Sequence, residues 1–194
     1  MKRVPPVAAL AIFSLLAGSV AAAGTGSPPS GQEAGAAGDA SGSGSDHWVD
    51  ARSAKGGFSA RMPGVYLDFS RGDVQQGEKV ALNGFHTVLP GAFGTVQVWD
   101  VVCVDHLERT PTAEAAFDYA TNDHEVNGML RWRRRSDVAG HPALDFAAGD
   151  GKRVVRSRVI SFGKRVCTIA VNYSLLDPVS DAEAERFIAS FKSH

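Results

Sequence analysis

The segment from Thr95 to Asp105 constrains the fold of this chain more than any other. Its residues alternate between two faces that are both mostly apolar. The apolar residues of one face are Val96, Val98, Val102 and Val104, and those of the other are Trp99, Val101 and Cys103. A strand that is apolar on both faces is stable only when both faces are covered. The pattern therefore predicts a central strand with other elements packed on its two sides.

The N-terminal sequence has the features of an export signal. Residues 1–3 carry two positive charges, Val7 to Val20 is an uncharged apolar run, and Ala21 to Ala23 offers small residues for cleavage after Ala23. The alternative is a retained membrane anchor, but a spanning helix needs about 20 apolar residues, more than this run supplies. A lipoprotein would need a cysteine at the cleavage point, and none precedes Cys103. We therefore expect export to the periplasm or the medium, with residues 1–23 as signal peptide.

Residues 24–45 differ in composition from everything that follows. They are mainly Gly, Ser and Ala, and they contain no Val, Ile, Leu or aromatic residue. Such a segment cannot bury enough apolar surface to offset the entropy lost on ordering. We expect a flexible tether here, followed by a single folded domain over residues 46–194.

Local patterns within residues 46–194 predict several strands and two helices. Predicted strands are 47–49 and 57–62 as a hairpin, 79–89, 95–105, 129–138, 143–147, and a second hairpin of 153–162 and 165–174. One predicted helix begins at Thr110-Pro111 and ends at Asn127-Gly128. The other begins at the capping box of Ser180 and Glu183. Antiparallel strands with helices segregated from them predict an α+β class, a central antiparallel sheet with helices packed on it.

Short motifs at both ends of the domain are similar to those of a known family. The domain begins with Trp48 and Gly57-Phe58-Ser59-Ala60-x-Met62-Pro63-Gly64, and it ends with Arg186-Phe187-Ile188-Ala189-Ser190-Phe191-Lys192. Gly140-His141-Pro142-Ala143 and Lys164-Arg165-Val166-Cys167-x-Ile169 lie between them. Together they resemble a bacterial exported PsbP-like α-β-α sandwich domain, although Cys167 replaces the aromatic residue that is usual there. The resemblance implies an antiparallel sheet with helices on both sides and a role in binding rather than catalysis, and it supplies no catalytic or ligand-binding residue.

Two cysteines, Cys103 and Cys167, are predicted on different strands. An exported protein meets an oxidising compartment, where these residues can form a disulfide. The alternative is that both stay reduced and pack as small apolar side chains. The sequence does not tell whether the two strands are neighbours, so both interpretations stay open.

The chain lacks the motifs that usually carry catalysis or bind a cofactor. The six histidines are scattered, and Asp123-His124-Glu125 does not continue into a His-Glu-x-x-His zinc motif because residue 128 is Gly. Neither a nucleophile elbow nor a phosphate-binding loop is present in the sequence. We therefore predict no catalytic residue, cofactor or metal, and the net charge of −1 argues against a nucleic-acid partner.

Charge is distributed unevenly along the chain. Residues 131–165 contain ten basic and three acidic residues. By strand alternation, Arg131, Arg133 and Arg135 share one face of a strand, and Arg156 and Arg158 share one face of a later strand. If those strands are neighbours, the five arginines form a patch for an anion or an acidic partner. Pairing with acidic residues on adjacent strands is the alternative.

These features together predict an exported, non-catalytic binding module of the cell envelope. Its partner would be an envelope protein or an anionic surface, and its oligomeric state is left open. The alternative is a hydrolase-type envelope enzyme whose site is assembled from distant residues, namely Asp100, Asp105, His106 and His141. Asp100 supports it because this charge interrupts the valine face of a central strand, and a buried charge is costly unless it is paired or used. A structural role in the envelope is a third interpretation.

Overall fold

The computed structural model describes residues 48–75 and 77–194. The predicted signal peptide and tether lie outside these residues. The strands are β1 Trp48–Arg52, β2 Phe58–Pro63, β3 Leu67–Gln75, β4 Glu78–Pro90, β5 Val96–His106, β6 Leu130–Val138, β7 His141–Gly149, β8 Arg153–Phe162, β9 Arg165–Ser174 and β10 Lys192–Ser193. The helices are α1 Ala113–Val126 and α2 Asp181–Ala189, and a short 3-10 turn covers Ala92–Gly94.

The strands form two antiparallel sheets. The larger sheet has seven strands in the order β3-β4-β5-β9-β8-β7-β6, and the smaller has the order β1-β2-β10. Strand β5 lies between β4 and β9 and pairs along most of its length with both. Its predicted central position is thereby confirmed, and β3 and β6 are the edge strands of the large sheet.

The α+β class predicted from the sequence is wrong. Strands make up 58% of the structure and helices only 18%, so the fold is β-rich and built on two antiparallel sheets. The apolar pattern of β5 correctly required cover on both faces, but it could not specify which element provides that cover. Much of the cover on one face comes from the second sheet, whose Phe58, Ala60 and Met62 on β2 are fully buried.

Two apolar cores lie on opposite faces of the large sheet. The larger core lies on the face that carries Phe85, Trp99 and Ile169, and it includes β2 and the buried side of α2. The smaller core lies on the other face, where α1 buries Phe117 against Phe146 and Val159. Residues of β4 and β5 on this second face, such as Leu82 and Val104, form a separate small cluster with Phe69 of β3.

Cys103 and Cys167 are joined by a disulfide inside the larger core. The two residues are register partners on β5 and β9, with their Cα atoms 4.0 Å apart. The sequence left open a disulfide or two reduced cysteines, and the structure contains the disulfide.

Several local predictions agree with the structure, and others differ. The hairpin of β8 and β9 has the predicted bounds, and α2 begins with the predicted capping box of Ser180 and Glu183. Helix α1 begins later than predicted, because the side chain of Thr112 rather than Thr110 accepts the capping hydrogen bond from Ala115 N. Strand β3 was not predicted, because its sequence is mostly polar and its pairing depends on β4 alone.

Candidate interaction surface

One end of the large sheet gathers five connecting segments, and we call it the loop end. These segments are residues 64–66, 91–95, 127–129, 150–152 and 175–180, each beginning or ending at that end of a strand. Hydrogen bonds connect several of them. Leu175 N donates to the carbonyl oxygen of Lys152 (2.9 Å), and Gly149 N donates to that of Met129 (2.9 Å).

The loop end carries most of the large apolar side chains that the described part of the chain exposes. The described residues expose eleven such side chains. Seven lie in the five segments or directly beside them, namely Val65, Leu67, Phe93, Val96, Val126, Leu175 and Leu176. Single exposed apolar residues are ordinary on a protein surface, but a concentration of this kind marks an interaction site.

Phe93 is the most exposed of these side chains, at 85%. It lies in the turn between β4 and β5 and has a positive φ of 57°. A bulky residue in the left-handed region costs about 1–2 kcal/mol relative to an ordinary conformation. The turn is nevertheless closed by hydrogen bonds on either side of Phe93, from Gly91 N to Thr95 O (2.9 Å) and from Thr95 N to Ala92 O (3.0 Å). The fold thus holds an aromatic ring in solvent at an energetic cost.

The carboxylate of Asp177 joins the turn around Phe93 to the segment that carries Leu175 and Leu176. Its Oδ2 accepts hydrogen bonds from Ala92 N (3.2 Å) and Gln97 Nε2 (3.4 Å), while the Thr95 hydroxyl donates to Ala92 O (2.7 Å) within the turn. These two donors, on either side of Phe93, hold the two segments together. Two apolar loops from distant parts of the sequence therefore form one prearranged surface.

The opposite end of the sheet carries a cluster of charged side chains. Glu78 is buried, and it accepts hydrogen bonds from Arg109 N (3.2 Å), Arg109 Nε (2.5 Å) and His106 Nδ1 (3.3 Å). Burial by itself raises the pKa of this carboxyl group, but the hydrogen bonds from His106 and Arg109 outweigh it and lower the pKa below its usual value. Nearby, Arg165 forms a two-pronged ion pair with Asp105 (2.6 and 3.0 Å).

The structure does not assemble the five predicted arginines into one patch. Strand β7 lies between β6 and β8, so the two groups are not on neighbouring strands. Arg133 and Arg135 point to the α1 side, where they pair with Glu125 and Glu114, and the Arg135 guanidinium lies 4.5 Å from the Phe117 ring centroid. Arg131 falls at the register shift at the start of β6. Arg133 and Arg135 therefore join β6 to α1, and their acidic partners lie on the helix rather than on the adjacent strands of the alternative given above.

Arg156 and Arg158 lie on the other face of the sheet, against α2. Arg156 pairs with Asp181 at the start of α2. Arg158 donates from Nε to Asp145 Oδ1 (2.6 Å), and its Nη2 lies 3.5 Å from Glu185 Oε1. Both side chains are largely buried by these contacts. They position α2 on the sheet.

The four residues of the predicted enzyme alternative lie in separate places. Asp100 pairs with its register partner His86, with Nδ1 and Oδ1 2.7 Å apart. Asp105 is engaged by Arg165, and His106 by Glu78. His141 lies at the start of β7, with its ring centroid 4.6 Å from that of Phe162. The structure thus gives Asp100 a partner that sequence reasoning missed, since His86 lies 14 residues away on the adjacent strand.

The described residues contain no group of three or more His, Cys, Asp or Glu side chains placed to hold a metal ion. Neither α1 nor α2 is long and apolar enough to cross a membrane.

No protein-family model, curated protein or solved structure matches the chain. The PsbP-like resemblance therefore stays a prediction, and the function has to be argued from the surface itself.

Sequence reasoning did not identify the loop end. The signals it could have used are an aromatic residue inside the turn-forming sequence Gly91-Ala92-Phe93-Gly94 and two adjacent leucines directly after the last strand of a hairpin. Each is unremarkable alone. Their meaning depends on the sheet order, which places β5 beside β9 and so brings the two loops together.

Proposed function

We propose that this protein is an exported, non-catalytic binding module of the cell envelope that docks on an anionic lipid bilayer through its loop end. The observation that carries the proposal is that seven of the eleven exposed apolar side chains among the described residues lie at one end of the sheet. The disulfide and the absence of a membrane-spanning helix among the described residues are compatible with an exported protein.

A bilayer suits this surface better than a flat protein partner does. Phe93 and Leu176, which are 85% and 71% exposed, project with Leu175 from two neighbouring loops that Asp177 holds together. Full burial of a Leu or Phe side chain contributes about 1.5–3 kcal/mol, so a few such groups give measurable membrane affinity. The exposed Lys152 and Arg153 adjoin Leu175 through the loop hydrogen bond, and they outnumber the exposed Asp150 of the same turn. Basic residues beside an apolar tip favour anionic lipid headgroups.

The position of Trp48 at the start of β1 supports the same orientation. Trp48 pairs with Pro63, the last residue of β2, and only residues 64–66 separate Pro63 from β3 at the loop end. The preceding sequence contains the Gly/Ser/Ala-rich segment 24–45 and the apolar run Val7–Val20. A tether that joins the domain on this side allows the loop end to face the membrane across which the chain is exported.

The experiment is co-sedimentation of the protein, in the form that the cell delivers, with vesicles of phosphatidylethanolamine and phosphatidylglycerol. We expect binding that weakens when phosphatidylcholine replaces both lipids and when salt is raised. The double variant Phe93→Ser/Leu176→Ser should bind at least about tenfold more weakly, since each apolar side chain contributes on the order of one decade.

The matched control is Val74→Ser/Leu107→Ser, which also removes two exposed apolar side chains but at the opposite end of the sheet. It should bind vesicles as the unaltered protein does. Equal loss in both double variants would refute docking through the loop end. If a photo-crosslinker at position 93 captures a single envelope protein and vesicles are not bound, the surface is a protein interface instead.

A further inference from the structure

A hollow lies on the face of the large sheet that also carries α2, between that helix and the edge strand β6. Ala147 of β7 is the register partner of both Trp132 on β6 and Arg156 on β8. A methyl group between two long side chains leaves space above the sheet. The hollow is small and opens to solvent.

The lining of the hollow combines one aromatic wall with balanced charges. Its side chains include Trp132 and Arg134 from β6, Asp145 from β7, Arg156 from β8, and Glu185 and Ile188 from α2. Two guanidinium groups thus face two carboxylates, so the site has no net charge that would select a strongly charged ligand. It offers several hydrogen-bond donors and acceptors beside an indole that is 43% exposed.

Asp145 adds an observation that points to a ligand. This residue is only 5% exposed, and its Oδ1 accepts the hydrogen bond from Arg158 Nε. Its Oδ2 is buried and accepts no hydrogen bond from any described residue. Arg134 Nη2 lies 3.6 Å from this oxygen, and the Arg134 side chain is 73% exposed. A buried carboxylate oxygen without a donor is unfavourable, and a ligand hydroxyl could satisfy it.

We propose that this hollow binds a single pyranose ring, the neutral sugar unit of an envelope glycan. One face of a pyranose carries C–H groups that pack on an indole, as Trp132 provides. Its edge carries neighbouring hydroxyl groups that donate to Asp145 Oδ2 and Glu185 and accept from Arg134 and Arg156. The small size of the hollow favours one ring, resting on Trp132, over a longer chain. This site is separate from the loop end and does not depend on membrane docking.

The test is titration of the ¹⁵N-labelled protein with D-glucose, D-galactose, D-mannose and N-acetyl-D-glucosamine, followed through the tryptophan indole N–H signals. We expect at least one of these sugars to shift the Trp132 signal in a saturable way in the millimolar range. Trp132→Leu should weaken binding at least about tenfold. Glu185→Ala should weaken it severalfold, and neither exposed substitution removes a core residue.

Two controls match these variants elsewhere on the surface. Phe93→Leu removes another exposed aromatic ring, and Glu108→Ala removes another exposed carboxylate at the charged end. Both should bind sugar as the unaltered protein does. The proposal is overturned if none of the four sugars binds, if binding survives in Trp132→Leu, or if methylguanidinium or acetate binds in their place. Because vesicle docking depends on Phe93 and sugar binding on Trp132, failure of one proposal leaves the other standing.

Discussion

Cys103 on β5 and Cys167 on β9 lie directly opposite each other, and their disulfide ties together two central strands that are 64 residues apart in sequence. Both residues are completely buried in the larger core. The bond therefore closes a long loop that contains α1, β6, β7 and β8.

The double variant Cys103→Ala/Cys167→Ala should unfold at lower urea concentration than the oxidised protein, with a loss of about 2–4 kcal/mol in the free energy of unfolding. Most of the effect arises because the unfolded chain regains the freedom that the closed loop denies it. Urea denaturation with and without dithiothreitol measures it. Dithiothreitol should destabilise the unaltered protein and leave the double variant unchanged. If dithiothreitol leaves the urea midpoint of the unaltered protein unchanged, this expectation is wrong.

Phe93→Asn should increase the free energy of unfolding by about 1 kcal/mol while vesicle binding falls. Asn tolerates the left-handed conformation better than Phe does, and an 85% exposed ring loses few contacts on removal. The comparison variant is Gly94→Ala, also at positive φ (69°), which should lower stability by about 1 kcal/mol. Thermal unfolding and co-sedimentation report the two effects separately. A less stable Phe93→Asn would mean that the ring supports the fold rather than an interaction.

Local signals in the sequence were sufficient for elements that are stabilised locally. The hairpin of β8 and β9 turns at Gly163-Lys164, and its alternation is regular. The capping box of Ser180 and Glu183 fixes the start of α2 through side chains only three residues apart. The predicted α+β class was wrong because the elements that pack on the two faces of β5 are determined by tertiary structure. The sequence of β2 does not reveal that it packs face to face on the large sheet.

The candidate surfaces depended on information that the sequence does not display. Asp177 reaches Ala92 across 85 residues, and only the pairing of β5 with β9 brings them together. The predicted arginine patch failed for a related reason. Odd-numbered Arg133 and Arg135 and even-numbered Arg156 and Arg158 lie on opposite faces once β7 is placed between their strands.

Glu78→Gln should remove part of the dependence of stability on acid pH. The pKa of Glu78 is lowered in the folded protein from its ordinary value of 4.5, because hydrogen bonds from His106 and Arg109 outweigh the effect of burial. The unfolded chain therefore binds the proton more readily than the folded one, and the stabilisation is complete above pH 4.5 and is lost as the pH falls through the lower folded value. Urea unfolding at a series of pH values should show Glu78→Gln less stable than the unaltered protein at pH 7. If the difference in free energy of unfolding between the two proteins stays constant down to acid pH, the assignment to Glu78 is wrong.

His124 should produce a second pH dependence at higher pH. Burial against the smaller core lowers the pKa of this imidazole below 6.5, although Asp123 opposes the shift. Its ring lies 5.7 Å from that of Phe146, and its buried Nδ1 has no hydrogen-bond partner among the described residues. The unfolded chain takes up the proton first, so stability is complete above pH 6.5 and decreases as the pH falls below it. His124→Gln should flatten the stability profile just below pH 6.5 when unfolding is followed by circular dichroism. An unchanged slope would place the titrating group elsewhere.

The His86–Asp100 pair should act as a structural unit of the sheet. Its side chains are 15% and 11% exposed, with Nδ1 and Oδ1 2.7 Å apart across β4 and β5. Removing either partner leaves the other with a poorly solvated polar group, at a cost of about 1–3 kcal/mol. We therefore expect His86→Ala and Asp100→Ala each to lower the free energy of unfolding by that amount, and the double variant to lose clearly less than the sum. A double-mutant cycle in urea measures this coupling, and additive losses would show that the pair contributes no interaction energy. In that case the charge of Asp100 on the valine face would again need a functional explanation.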